Sequence, residues 1–334
     1  MKRLQLLFAV LFCLLFLLVG VVQPEATAHH VNENDYWNFE VKPLPDNVTH
    51  YTFESSFLNP DNNIVGLNVY TPPGYETSGN NRRYPVIYLL HGVNGQEANY
   101  FSWYSSFTAL YSQKSVLSLM EGTVNAAPGL TLPEAIVVFV NGGKGSSYYD
   151  WSTPEHGPNS PFPIMSESII IQELIPFVDS NFRTIPFRGG RAIEGFSMGG
   201  FGAVKFALEY PELFCSAVSY GGSGFDADGN TFESVYTIVT ANKSVLETYD
   251  VRIRLVRGEN DGTPNDNQAV KDFLDSQGIT VEYETAVPNT AHDWGDYYRN
   301  DGDMGLDFHQ DCFTDNPAPE LNQFVYLPSV LKSP

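Results

Sequence analysis

EGFSMGGFGA, residues 194–203, sets Ser197 two places after Gly195 and two before Gly199, with Gly200 and Gly202 close behind. Glycine loses more backbone freedom on folding than any other residue, so such a density around one hydroxyl needs a steric reason. Upstream, "RAIEGF" is an apolar run of strand length. Downstream, Ala203, Phe206, Ala207 and Tyr210 recur at helical spacing until Pro211 ends the pattern. A strand that turns abruptly into a helix strains the residue at its tip, and side chains two positions away would collide with neighbouring backbone. The pattern predicts an exposed hydroxyl above the carboxyl end of a sheet, with the amides and positive dipole of a helix N-terminus beside it.

Working outward, "NIVGLNVYTPPGY" (63–75), "PVIYLLHG" (85–92), "AIVVFVNGG" (135–143), "FCSAVSYGG" (214–222), "VRIRLVRG" (251–258) and "TVEYETAV" (280–287) read as strands. The near-continuous apolar runs suit strands covered on both faces of a parallel sheet. Residues 96–122 read as helical. Ser166 is expected to cap a helix through "SESIIIQELIPFVDSNF". Strands alternating with helices give an α/β class with a mostly parallel sheet and helices on both faces, carried by one domain over 29–334.

A serine hydroxyl is a weak nucleophile until a base takes its proton and a carboxylate orients that base. Among histidines after Ser197, His292 stands in the polar turn "PNTAHDW" at a strand end, where a base belongs, whereas His309 lies in "GLDFHQDCF" and reads as a packing or surface residue. The loop "GENDGTPND" offers Glu259, Asp261 and Asp266. Asp261 is preferred because it follows the strand closely, while Asp266 is placed to open the next helix. For a developing oxyanion, the amide of Met198 at the helix start pairs with that of Val93 in "LLHGVNG", where Gly92 permits close backbone approach. Trp103, Tyr148, Tyr149, Trp151 and Trp294 fall in segments near the carboxyl edge of the sheet, and Trp103, Tyr149, Trp151 and Trp294 are offered as rings that could stack on a sugar or feruloyl group.

Net charge is −21, and −22 once residues 1–28 with Lys2, Arg3 and Glu25 are removed, so nucleic acid and anionic membranes are repelled. Lys2 and Arg3, the apolar run Leu6 to Val22 and the small residues Ala26-Thr27-Ala28 have the form of an export leader, with an uncleaved N-terminal anchor as the competing reading. An oxidising compartment would permit a bond between Cys215 and Cys312, but Cys215 sits in an apparent buried strand, and a free thiol is the expectation. No metal-ligand spacing is present, and the acidic stretches 225–233 and 300–307 read as solvated loops rather than calcium sites.

With those residues in hand, the chain resembles the esterase D-type branch of the α/β-hydrolases, which includes secreted feruloyl and acetyl xylan esterases, S-formylglutathione hydrolases and mycolyltransferases. "YPVIYLLHGVNG", "ELIPFVDSNFRT", "IEGFSMGGFGAV", "RGEND" and "AHDW" carry the resemblance in order. It implies an α/β-hydrolase fold, Ser197 as nucleophile, Asp261 as acid, His292 as base, Val93 and Met198 as oxyanion hole, and no cofactor or metal. The implied substrate is a small-molecule or polysaccharide-linked ester; acyl transfer and a silent binding fold are the alternatives. One departure is that "GDYYRNDGDMGLDFHQDCF", rich in glycine and acids, replaces the family's apolar C-terminal helix and predicts an irregular tail.

Overall fold

The computed structural model describes residues 36–40, 42–102, 107–151, 164–222, 234–264 and 266–315. Eight strands form one sheet in the order β1 (Val48–Glu54), β2 (Ile64–Tyr70), β4 (Ile136–Val140), β3 (Val86–Leu90), β7 (Arg191–Phe196), β8 (Ser216–Tyr220), β9 (Arg252–Gly258) and β10 (Val281–Val287). β1 and β2 pair antiparallel, as do β2 and β4, and every other pairing is parallel. A separate two-stranded ribbon joins β5 (Asp150–Trp151) to β6 (Ile164–Met165). Each apolar run identified above supplies a strand, and β3, β4 and β8 are buried at every position.

The twofold alternation of side chains along a strand divides the interior into two layers. Val86, Tyr88 and Leu90 join one core, with helical residues Ile170, Leu174, Val204, Ile238 and Val270. Ile87 and Leu89 point to the other, with Phe101, Leu117, Tyr297 and Leu306. Helices therefore cover both faces, as the strand pattern requires.

Two local expectations are corrected. Among the described residues of 96–122, helix is present at Asn99–Ser102, Phe107–Ser112 and Val116–Met120, and the chain leaves helix between Ser112 and Val116, so the segment is not one helix. The last is started by a reciprocal cap in which Ser115 accepts from the Ser118 amide at 3.1 Å and Ser118 accepts from the Ser115 amide at 2.8 Å; side-chain hydroxyls thus set a helix start in the middle of the segment. Ser166 is not a cap. It begins the helix, preceded by Met165, and its hydroxyl donates to the Gly142 carbonyl at 2.7 Å. That helix runs on through a π-helical stretch, Ile169–Leu174, directly ahead of Pro176, which has no N–H to give the ladder.

The largest correction is at the C-terminal end, where Trp294–Asp315 is a 22-residue helix and not an irregular tail. Its acids are docking groups. Asp301 takes two bonds from the Arg254 guanidinium, at 2.6 and 3.0 Å, and Asp303 pairs with Lys114 at 2.6 Å and accepts from the Ala127 amide at 2.8 Å. Buried His309 bridges Ser216 Oγ at 2.8 Å and Glu194 Oε2 at 3.2 Å. Cys312 is disulfide-bonded to Cys215, overturning the expected free thiol. The stretch 300–307 is therefore helix, while 225–233 lies outside the described residues. No helix among the described residues is long and apolar enough to cross a membrane.

The glycines that obscured this helix have a packing cause. A Cβ built on Gly305 would stand 1.9 Å from the Tyr220 hydroxyl, at the end of a rigid buried ring. Gly305→Ala is expected to lower stability by about 1–3 kcal/mol in denaturant unfolding. Tyr220→Phe, which removes the obstructing oxygen, should recover part of that loss in the double variant.

Candidate active site

Ser197 stands between β7 and the helix Met198–Glu209, with φ 57° and ψ −118°. A side chain rarely adopts such a backbone, and strain of this kind collects at sites where a group must be presented. The turn is tight because the start of the helix is pressed against the end of β3. A Cβ on Gly199 would lie 2.0 Å from the Leu90 carbonyl oxygen, and one on Gly195 would lie 2.3 Å from the Gly199 carbonyl oxygen. Both obstacles are backbone, so neither can move aside. The expected collision is what the fold contains.

The loops after β9 and β10 are zipped together, which brings the other two residues to the serine. Glu259 N–H donates to the Val287 carbonyl and Asn260 N–H to the Thr290 carbonyl, each at 2.9 Å. Asp261 and His292 then meet, with Nδ1 of the imidazole 2.8 Å from Asp261 Oδ2 and Nε2 3.0 Å from Ser197 Oγ. The competing carboxylates are used elsewhere. Glu259 accepts from the Asn289 amide at 3.1 Å, and Asp266 occupies the position ahead of the helix Asn267–Ser276. The imidazole also rests against the Phe196 ring, centroid to centroid 4.7 Å.

Burial by itself would raise the Asp261 carboxyl, but hydrogen bonds from Tyr297, His292 and Thr263 outweigh it and hold the group at about 2. Thr263 contributes its amide at 3.0 Å and its hydroxyl at 2.7 Å to Oδ1, and Arg257 stands 3.3 Å from the same oxygen. The carboxylate is therefore anionic wherever a neutral imidazole could work. A hydroxyl, an imidazole and a carboxylate in line at hydrogen-bond distances can pass the serine proton to the ring while the acid fixes the tautomer.

Gly92 and Val93 lie where the second amide is needed: a Cβ on Gly92 would come within 3.6 Å of the Ser197 Cβ. Met198 is the first residue of the elbow helix, where backbone N–H groups have no intrahelical acceptor. The peptide that carries the Val93 N–H is held through its Gly92 carbonyl, which accepts from Gly95 N–H at 2.9 Å, and the next peptide through the Val93 carbonyl, which accepts from Gly145 N–H at 2.7 Å. His91, to which the sequence reading gave no role, braces this loop. It is fully buried, Nδ1 donates to the Gly92 carbonyl at 2.7 Å, and Nε2 accepts from Gly142 N–H at 3.0 Å. Burial pulls the ring down to about 4, so it stays neutral and can act as both donor and acceptor. Its position in "LLHG", between an apolar strand and a glycine turn, was the available signal.

The aromatic residues do not form an open platform. Trp103 lies outside the described residues. Tyr149 and Trp151 are buried edge-to-face against each other, and Trp151 Nε1 donates to the Ser146 carbonyl at 2.7 Å. Trp294 is buried 4.7 Å from Tyr100. Tyr148 is also buried, its hydroxyl donating to the His91 carbonyl at 2.9 Å. Tyr148, Tyr149, Trp151 and Trp294 are thus packed into the interior and present no free ring face for stacking.

A family model described as "Putative esterase" matches residues 62–301. An esterase of Mycobacterium tuberculosis is 34% identical over 175 residues, 52% of this chain and 32% of the relative. An endo-1,4-beta-xylanase/feruloyl esterase of Xylanibacter ruminicola is 28% identical over 187 residues, 54% of this chain and 22% of the relative. The chain thus spans less than two thirds of the length of these curated relatives. Among solved structures, a ferulic acid esterase from the anaerobic fungus Anaeromyces mucronatus superposes with a TM-score of 0.55 at 17% identity, covering 84% of this chain and 95% of that one. The parallel sheet with helices on both faces is the α/β-hydrolase fold, and with the family match running from β2 into the C-terminal helix, the chain belongs to this esterase family.

Proposed function

We propose that the protein is an exported serine carboxylesterase that works through an acyl-enzyme. The observation that carries this reading is the unbroken chain from Asp261 through His292 to Ser197, with links of 2.8 and 3.0 Å. Ser197 Oγ attacks the ester carbonyl as its proton passes to His292 Nε2. The charge that develops on the carbonyl oxygen is met by the N–H groups of Val93 and Met198. Collapse expels the alcohol, which takes the proton from His292 and leaves the acyl group on Ser197. Water, deprotonated by the same imidazole, then releases the acid. No step calls on a metal or an organic cofactor.

Acetyl or feruloyl esters on a polysaccharide are the substrate class supported by the esterase relatives. Acyl transfer to an alcohol, the chemistry of the mycolyltransferases that the sequence resembles, is the second reading, and product analysis with an added sugar acceptor separates the two. Export is supported by the form of residues 1–28 and by the Cys215–Cys312 bond, since disulfides persist in oxidising compartments. A net charge of −21 suits a soluble extracellular protein and disfavours polyanionic partners.

Ser197→Ala is expected to lower p-nitrophenyl acetate turnover by about a thousandfold or more and to abolish labelling by a fluorophosphonate probe. Retained activity or labelling would exclude Ser197 as the nucleophile. Asp261 makes a second test possible. Its folded value, about 2 against an ordinary 3.8, means that it contributes stability above the ordinary value, lost as pH falls through the folded one. Between those two pH values the unfolding free energy of Asp261→Asn should therefore fall less steeply than that of the unmutated protein, as followed by denaturant titration.

A further inference from the structure

The two oxygens of Asp261 are held by different parts of the fold. Oδ1 is occupied from its own loop, by Thr263 and by Arg257 at the end of β9. Oδ2, the oxygen that faces His292, receives a second hydrogen bond from the Tyr297 hydroxyl at 2.6 Å. Tyr297 belongs to the C-terminal helix, five residues beyond His292, so the same chain segment delivers the base and a clamp on the acid.

The direction of that bond is fixed. Gly258 N–H donates to the Tyr297 oxygen at 2.9 Å, which turns the phenolic proton toward Asp261. The ring is fully buried, with Phe196 and Tyr220 each 5.9 Å away between centroids. Burial, and then the bond to Asp261, raise the phenol well above its ordinary value, so it remains a donor at any working pH. There is no space beside the contact: a Cβ on Gly221 would lie 2.9 Å from both Asp261 Oδ2 and the Tyr297 oxygen.

The geometry points to Tyr297 as a positioning residue of the proton relay, a role that rests on the Ser197–His292–Asp261 assignment. Its hydroxyl occupies the share of Oδ2 that His292 leaves, and thereby sets both the aim and the basicity of the carboxylate. When the serine proton reaches the ring, an imidazolium faces Asp261. A carboxylate that already accepts from a phenol draws on that cation less strongly, so the Nε2 proton is given up more readily to the departing alcohol. Removing the hydroxyl strengthens the pull and loosens the aim.

The test is Tyr297→Phe in the full chain, which keeps the ring and its packing, assayed with p-nitrophenyl acetate. A fall in kcat of about tenfold with KM held within about twofold is expected. The acid limb of the kcat/KM profile should move up by about half a pH unit. Unchanged kcat and an unchanged limb overturn the role, as does a loss of activity that only tracks a loss of folded protein with the limb in place. Should the phenylalanine variant not fold, 3-fluorotyrosine at 297, a stronger donor of nearly the same size, is expected to move the limb down; a limb that stays or rises overturns the role. Fluorophosphonate labelling of Ser197 in the unmutated protein is checked first, and its absence would sink the relay itself rather than the contribution of Tyr297 alone.

Discussion

The constraint on which the site depends is the approach of the elbow helix to the end of β3, where the Gly199 backbone lies against the Leu90 carbonyl and leaves no volume for a methyl group. That contact forces the chain through a turn sharp enough to hold Ser197 at positive φ, and it also places the loop of Gly92 and Val93 beside the serine. The presentation of a hydroxyl and the proximity of a second amide are thus one steric event. The local conformational cost, of order 1–3 kcal/mol for such a residue, is offset by the packing of β7 between the fully buried strands β3 and β8.

The opposite side of the site depends on the C-terminal helix. Its first turns follow His292 directly and carry Tyr297 under Asp261, while its later turns are fixed by Arg254, Lys114, Ser216 and the disulfide at Cys312. Ion pairs and covalent attachment add to the packing of Trp294, Tyr297, Tyr298, Leu306 and Phe308 in the second core. Buried charges that are paired and hydrogen-bonded can serve where leaving one partner alone would be very costly. A helix with this attachment gives Asp261 and His292 a rigid support rather than a tail.

Much of the site was legible because its parts obey local rules. The glycines around Ser197 report backbone crowding, the apolar runs report strands buried on both faces, and His292 and Asp261 stand immediately after strands, where functional loops of an α/β sheet lie. His91 and Tyr297 were not legible in the same way, because their roles come from partners far along the chain: Gly142 for one, Asp261 and Gly258 for the other. Tyr149, Trp151 and Trp294, buried in the fold, were not legible for the converse reason. A ring suited to sugar stacking and a ring suited to packing have the same composition, and only burial tells them apart.

The sequence by itself determined the strand–elbow–helix unit and the α/β class, since each follows from periodicity and from steric demands within a few residues, and it singled out Ser197, Asp261 and His292 by their places at strand ends. The tertiary structure decided the C-terminal helix, the Cys215–Cys312 bond and the clamp on Asp261. Glycines and acids weaken the intrinsic helical signal of residues 294–315, and the compensating contacts are made by Tyr220, Lys114 and Arg254 on other elements. Helix propensity is a local quantity, whereas the groups that stabilise this helix come from distant parts of the chain.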